Sequence, residues 1–96
     1  MRTFSIIHHR VADFDAWKQV YDGVHDMQSE GGVRFHQVLR SQEDPSMVVV
    51  THAFDSREAA DAFFANPQLG PAMERAGVDA SSLQVEHLEE VEAGDL

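Results

Sequence analysis

Hydrophobic and polar positions change period several times along these 96 residues, and each change marks an element. From Thr3 to Val11 the chain reads T-F-S-I-I-H-H-R-V, rich in β-formers and free of Gly and Pro, which predicts a strand with apolar groups on both faces. The period then becomes helical. Phe14, Trp17, Val20, Tyr21 and Val24 form one aromatic-rich face, Asp13 stands ready to cap the N-terminus with Asp15 in the first turn, and Gly31-Gly32 stops the helix. Val33 to Arg40 and Met47 to Phe54 return to strand character around Ser41-Gln42-Glu43-Asp44-Pro45-Ser46, a turn-forming run, so they read as a hairpin. Asp55 or Ser56 caps a second helix whose buried side is Ala59, Ala60, Phe63 and Phe64, with Glu58 in its first turn. Asn66-Pro67 interrupts it, and a further helical piece carries Leu69, Ala72, Met73 and Ala76 to a left-handed cap at Gly77. Leu83 to Val91 alternates as a half-buried strand does.

The element order is β-α-β-β-α-β. With right-handed crossovers and a central hairpin, that order gives a four-stranded antiparallel sheet with both helices on one face, a ferredoxin-like α+β sandwich. Residues 1–96 are read as one domain, because two cores in so short a chain would each be too small to fold unaided. Ile6, Ile7, Val48, Val49 and Val50 place apolar side chains on both faces of a sheet that helices cover on one side only. A second copy of the chain is the simplest cover for the open face, and a homodimer is expected.

Charge narrows the partners. Seven Lys and Arg against 17 Asp and Glu give a net charge of −10, which repels nucleic-acid backbones and anionic membrane surfaces. No run approaches the ~18 apolar residues of a membrane span, and Met1-Arg2-Thr3 leads directly into the first strand, so a cytoplasmic location is expected. The absence of Cys excludes disulfides, thiolate nucleophiles and Cys-based metal centres, leaving His, Asp and Glu as the available metal ligands.

The histidines are concentrated where chemistry can use them. His8, His9, His36, His52 and His87 fall in predicted strands, and only His25 lies elsewhere. Consecutive strand residues point to opposite faces, so His8 and His9 straddle the sheet, with the pocket-facing member left open. Direct pairing across the Ser41 to Ser46 turn puts His36 and His52 on one face, where they can stand opposite each other. A neutral imidazole in an apolar pocket can act as general base on a phenol or an enolisable carbon, producing an electron-rich anion with no cofactor. The plainer alternative makes each a half-buried strand residue satisfied by backbone, Glu or water. No H-x-H, H-x-x-x-H or H-E-x-x-H spacing occurs, so no metal is expected; a two-His, one-carboxylate iron site is the form one would take. Trp17 and Tyr21, one helical turn apart, can stack on a planar ligand or simply fill the core, and Phe63, Phe64 and Met73 supply the facing wall. Arg34 and Arg40 can hold a carboxylate or phosphate, or merely guard a sheet edge. The acidic stretch from Glu86 to Asp95 reads as a solvated edge.

Three segments together carry a resemblance: His9-Arg10-Val11-Ala12-Asp13-Phe14-Asp15-Ala16-Trp17-Lys18 followed by Tyr21-Asp22; Asp44-Pro45 before a valine strand; and Ala72-Met73-Glu74-Arg75-Ala76-Gly77-Val78. In order and spacing, from Ile7 to Glu92, the chain resembles small bacterial proteins of the dimeric α+β-barrel superfamily, of the antibiotic-biosynthesis-monooxygenase-like or cyclase-like kind. The resemblance implies two sheets back to back in an eight-stranded barrel, with a pocket in each subunit between sheet and helices. It also implies a cofactor-free monooxygenase or cyclase acting on a hydrophobic aromatic or polyketide-type small molecule. A non-catalytic ligand-binding or structural dimer is the alternative, and His-based metal or haem binding a third. One departure lies in the first helix, where relatives are expected to place a His and an Arg at the positions of Val24 and Gln28; a ligand contact made there would be lost or moved to His25. His9, within the H-x-V-x-D stretch that carries the resemblance, and His52, on the strand beside it, are the expected catalytic imidazoles, meeting across one rung of the sheet, with Tyr21 donating to an oxyanion. Trp17, His36, Phe63, Phe64, Met73 and His87 are the expected ligand contacts.

Overall fold

A computed structural model describes residues 1–96. Strand β1 (Thr3–Val11) is followed by helices α1 (Phe14–Gly23) and α2 (His25–Glu30), strands β2 (Phe35–Arg40) and β3 (Met47–Phe54), helices α3 (Arg57–Phe64) and α4 (Leu69–Arg75), and strand β4 (Val78–Glu89). The four strands form one sheet in the order β2-β3-β1-β4, with every neighbouring pair antiparallel. This is the ferredoxin-like α+β arrangement that the element order predicts.

The hydrophobic pattern accounts for the element ends. Asp13 caps α1 by accepting the Ala16 backbone N–H at 3.2 Å. Of the two candidates for the next cap, Ser56 is the one used, its Oγ accepting the Ala59 N–H at 3.1 Å. Gly77 has φ +76°, the left-handed geometry expected of it, and lets the chain turn from α4 into β4.

Three boundaries differ from the sequence reading. The first helix is not continuous to Gly31 but breaks at Val24, whose φ of −106° and ψ of 19° lie outside the helix. Gly23 and β-branched Val24 are two consecutive weak helix formers, and the stripe they interrupt resumes in α2 at a new angle. Strand β2 begins at Phe35 rather than Val33. Strand β4 runs from Val78 to Glu89 rather than from Leu83 to Val91. Its early part pairs Val78 and Asp79 with Val11 and Arg10, then crosses an irregularity where Ser82 Oγ accepts the Arg10 N–H at 2.8 Å. Polar Asp79, Ser81 and Ser82 read as a turn in sequence, but here their side chains stand in for ladder bonds at a bulge.

The helices cover one face. Ile7 and Val11 of β1 and Val48 and Val50 of β3 pack there against Trp17, Tyr21 and Ala76 in the larger core cluster, while Phe54, Ala60 and Phe63 form a smaller one. On the opposite face the register aligns Phe35, Ala53, Phe4 and Leu88 in one row across all four strands. Leu39, Val49 and His8 align in another. Phe35, Leu39 and Leu88 are between 41% and 48% exposed, so no helix covers the large apolar side chains of this face, although small Ala53 between Phe4 and Phe35 is buried.

Candidate functional site

The helix-facing side of the sheet carries an unusual rung. His36 pairs with His52, His52 with Ser5, and Ser5 with His87, so three imidazoles and a hydroxyl cross the whole sheet in one row. The neighbouring rung, Val38, Val50, Ile7 and Val85, is wholly aliphatic. A polar row beside an apolar one creates directed chemistry on a dry floor.

Helix α1 lowers its aromatic face onto this floor. Trp17 and Tyr21, one turn apart, stack with ring centroids 5.0 Å apart and planes at 20°. The Tyr21 hydroxyl reaches His36 Nδ1 at 3.0 Å and His52 Nε2 at 3.3 Å. At the other end of the stack Trp17 meets His9, with centroids 5.6 Å apart. His9, Trp17, Tyr21 and His52 thus form a continuous aromatic wall, all four buried.

This wall encloses a cavity of about 80 Å³. Thirteen of its sixteen lining residues are apolar or aromatic, including Val24, Met27, Phe63, Phe64 and Met73; the remaining three are His9, Gln28 and His52. The Phe63 ring lies against Gly31, where an added Cβ would approach within 2.6 Å, so the end of α2 is shaped to admit it. An outer cleft of about 510 Å³ between the α1–α2 junction and α4 shares Val24, Met27 and Ala72 with the cavity and continues it toward the surface. A third, polar cleft of about 230 Å³ is lined by His25, Ser29, Arg34 and His36, and Gln28 separates it from the cavity.

Burial sets the ionisation. His52 is lowered to about 4, first by desolvation and then by the neighbouring His36, so it is neutral near pH 7. His9 is lowered too, chiefly by burial. Tyr21 is pushed up to about 12 by burial, with Gln28 acting in the opposite direction, so its phenol keeps its proton. Both His9 and His52 leave Nδ1 buried without a hydrogen-bond partner. Such unpaired polar atoms are costly, and His8 carries a third on the opposite face of the sheet, so they are not confined to the cavity side.

Several sequence-based expectations meet in this geometry and some part. His9 rather than His8 faces the helices, and Tyr21, Trp17, Phe63, Phe64 and Met73 line the cavity as expected. His9 and His52, however, do not meet across one rung: His9 pairs with Val48 and His52 with Ser5, four residues apart, about 13 Å along the strand. The pairing that forms instead is His36 with His52. His36 stands outside the cavity, joined to it through Tyr21, and His87 does not line it, because Ser5 Oγ holds its Nδ1 at 2.7 Å and Phe64 covers its ring. His25 does not replace the contact expected at Val24 and Gln28, since it opens onto the polar cleft. Gln28 itself lines the cavity, and the helical stripe Trp17, Tyr21, Val24, Gln28 was the signal that pointed there. No three His, Asp or Glu side chains converge as a metal-ligand set, and no helix is long and apolar enough to cross a membrane.

Comparison with known proteins agrees with this arrangement. Among solved structures, the chain is similar to a candidate antibiotic biosynthesis monooxygenase from Caulobacter crescentus (TM-score 0.77, 18% identity, covering 95% of this chain and 91% of that one). It is similar to another such candidate from Deinococcus radiodurans (TM-score 0.75, 17% identity, 98% and 97% covered). A third likeness is to SnoaB, a cofactor-independent oxygenase from Streptomyces nogalater (TM-score 0.72, 14% identity, 99% and 96% covered). At such identities these likenesses establish the fold alone. No curated protein matches the chain. The family model described as antibiotic biosynthesis monooxygenase matches residues 10–75, a span that takes in the aromatic helix, the His36–His52 hairpin and the second helical wall, and by that match the chain belongs to the antibiotic biosynthesis monooxygenase family.

Proposed function

We propose that this chain is a homodimeric, cofactor-independent oxygenase acting on a phenolic or enolisable ring, with His52 as general base. One observation carries the reading: the Tyr21 hydroxyl is held between the two imidazoles of His36 and His52 at the wall of an apolar cavity, with His52 neutral and its Nδ1 unpaired. The family match and the likeness to an oxygenase described as cofactor-independent support the reaction class.

The chemistry follows from that geometry. His52 Nδ1 takes the proton of a bound phenol, and the dry walls leave the phenolate with little solvation and high electron density. The phenolate passes one electron to O2, the radical pair combines at a ring carbon, and the hydroperoxide loses water to leave a carbonyl. In sum, a phenol and O2 give a quinone and water. Tyr21, protonated at neutral pH, can donate to a substrate oxygen when it releases one of its imidazole partners. The cavity of about 80 Å³ is smaller than the ~150 Å³ that holds a benzene molecule, so a ring enters by its edge with the remainder in the outer cleft.

A non-catalytic dimer would account for His87, satisfied by Ser5, but gives no role to the unpaired nitrogens of His9 and His52. The decisive experiment is oxygen uptake and quinone absorbance with a dihydroxynaphthalene as probe. His52→Ala is expected to lower kcat by at least ~10²-fold with circular dichroism unchanged. Turnover within a few-fold of wild type would remove His52 as the base and turn attention to His9.

A further inference from the structure

We infer that His36 is a positioning residue that decides, through the Tyr21 hydroxyl, which ring nitrogen of His52 is free to accept a proton. A phenol hydroxyl carries one hydrogen, and Tyr21 stands between two imidazole nitrogens at 3.0 and 3.3 Å. It has one hydrogen to give and lone pairs to accept with, and we take the nearer nitrogen, His36 Nδ1, as the one it donates to and His52 Nε2 as an N–H donor to it. That arrangement puts the His52 proton on Nε2 and leaves Nδ1 as a bare lone pair, the form a base requires.

Protonation of His36 reverses the chain. His36 is exposed and open to solvent protons, whereas His52 is 3% exposed. An imidazolium carries hydrogens on both nitrogens, so His36 Nδ1 then donates to Tyr21 and frees the Tyr21 hydrogen to turn to His52 Nε2, which gives up its proton to solvent while Nδ1 takes one from solvent. His52 stays neutral throughout, yet its Nδ1 changes from acceptor to donor. The titratable and charged groups around His36 are Tyr21 on α1, His25 on α2 with ring centroids 5.9 Å away, Arg34 on its own strand, held by Asp55 at 3.3 Å, and His52 on β3. Only Tyr21 links the side chains of His36 and His52 by hydrogen bonds, while the charge of His36 also acts on its cross-strand neighbour through space.

The inference rests on His52 as the base but is tested without turnover. Nitrogen-15 NMR of the ring nitrogens reads each tautomer directly, in wild type, His36→Gln, Tyr21→Phe and His25→Gln, between about pH 8 and pH 5. In wild type the His52 Nδ1 resonance is expected to move from the unprotonated to the N–H range in step with protonation of His36, while Nε2 moves the opposite way. His36→Gln and Tyr21→Phe should abolish this exchange and His25→Gln should preserve it. The proposal is overturned if the His52 nitrogens do not move in wild type, if they still exchange in Tyr21→Phe, if the exchange is lost in His25→Gln, or if both nitrogens enter the N–H range together, which would mean simple protonation of His52. An active His52→Ala enzyme would overturn the base assignment and leave this coupling standing.

Discussion

The two faces of the sheet begin with comparable apolar content and finish in opposite conditions. On the helix side Ile7, Val48 and Val50 are covered by Trp17 and Tyr21, and the polar groups among them are paired or line the cavity. On the other side Phe4, Ile6 and Val49 share the surface with Phe35, Leu39 and Leu88, and nothing within the chain covers them. The difference lies in crossover geometry rather than in composition. Right-handed connections send both helical segments to the same side, so one face is covered and holds the cavity while the other keeps large apolar side chains exposed. His8 and His9 show the contrast within a single dipeptide. His9 is 3% exposed against Trp17, while His8 is half-buried on the open face beside Val49.

The most drastic way to break this comparison is to charge the open face. Ile6→Asp is expected to convert a dimer into a folded monomer of about 10.7 kDa, read by sedimentation equilibrium alongside circular dichroism. Wild type sedimenting at the monomer mass at micromolar concentration would show that the open face needs no second copy.

Truncating one large side chain on each face sharpens the contrast further. Phe54 is fully buried against Phe63 and Ala60, so Phe54→Ala should destabilise the fold by about 3–5 kcal/mol in urea denaturation. Leu39, 48% exposed, should cost far less per chain when replaced by Ala, with its loss showing in dimer affinity instead. Equal per-chain losses at the two positions would mean the faces are not energetically distinct.

A more gradual effect is in pH dependence, and it belongs to the helix side alone. His52 is lowered from 6.5 to about 4 in the fold, so the unfolded chain takes up a proton first as the pH falls. Stability is therefore fully present above about pH 6.5 and is lost as the pH drops toward 4, by about 3 kcal/mol in all from this residue. His9, shifted in the same direction, adds to the slope. Denaturation midpoints across that window should flatten in His52→Leu, and an unchanged slope would place the titration elsewhere.

Much of this was legible in the chain before folding. Strands β1 and β3 begin and end where their residues predict, because uninterrupted β-formers bounded by turn residues leave few alternatives. The shared face of His36 and His52 followed from the length of the turn between their strands, a local constraint. The break at Val24 and the early start of β4 were not legible. At Val24 two weak helix formers permit a bend, and only packing decides that it is used to seat Met27 and Gln28 on the cavity; at β4 packing overrides local preference, with Asp79 and Ser82 serving as bulge partners to β1.

By itself, then, the sequence determined the kind and order of the elements, the alternation that sends His8 and His9 to opposite faces, and the aromatic stripe of Trp17 and Tyr21, since each depends on residues near one another in the chain. Only the tertiary structure decided which histidines meet. Whether His9 meets His52, whether His87 is spent on Ser5, and whether one tyrosine hydroxyl reaches two imidazoles depend on the register of strands far apart in sequence and on how deeply a helix settles onto them. Shifting one strand by a single residue would carry its whole set of side chains to the other face, so these distances are fixed by the packing of the entire core.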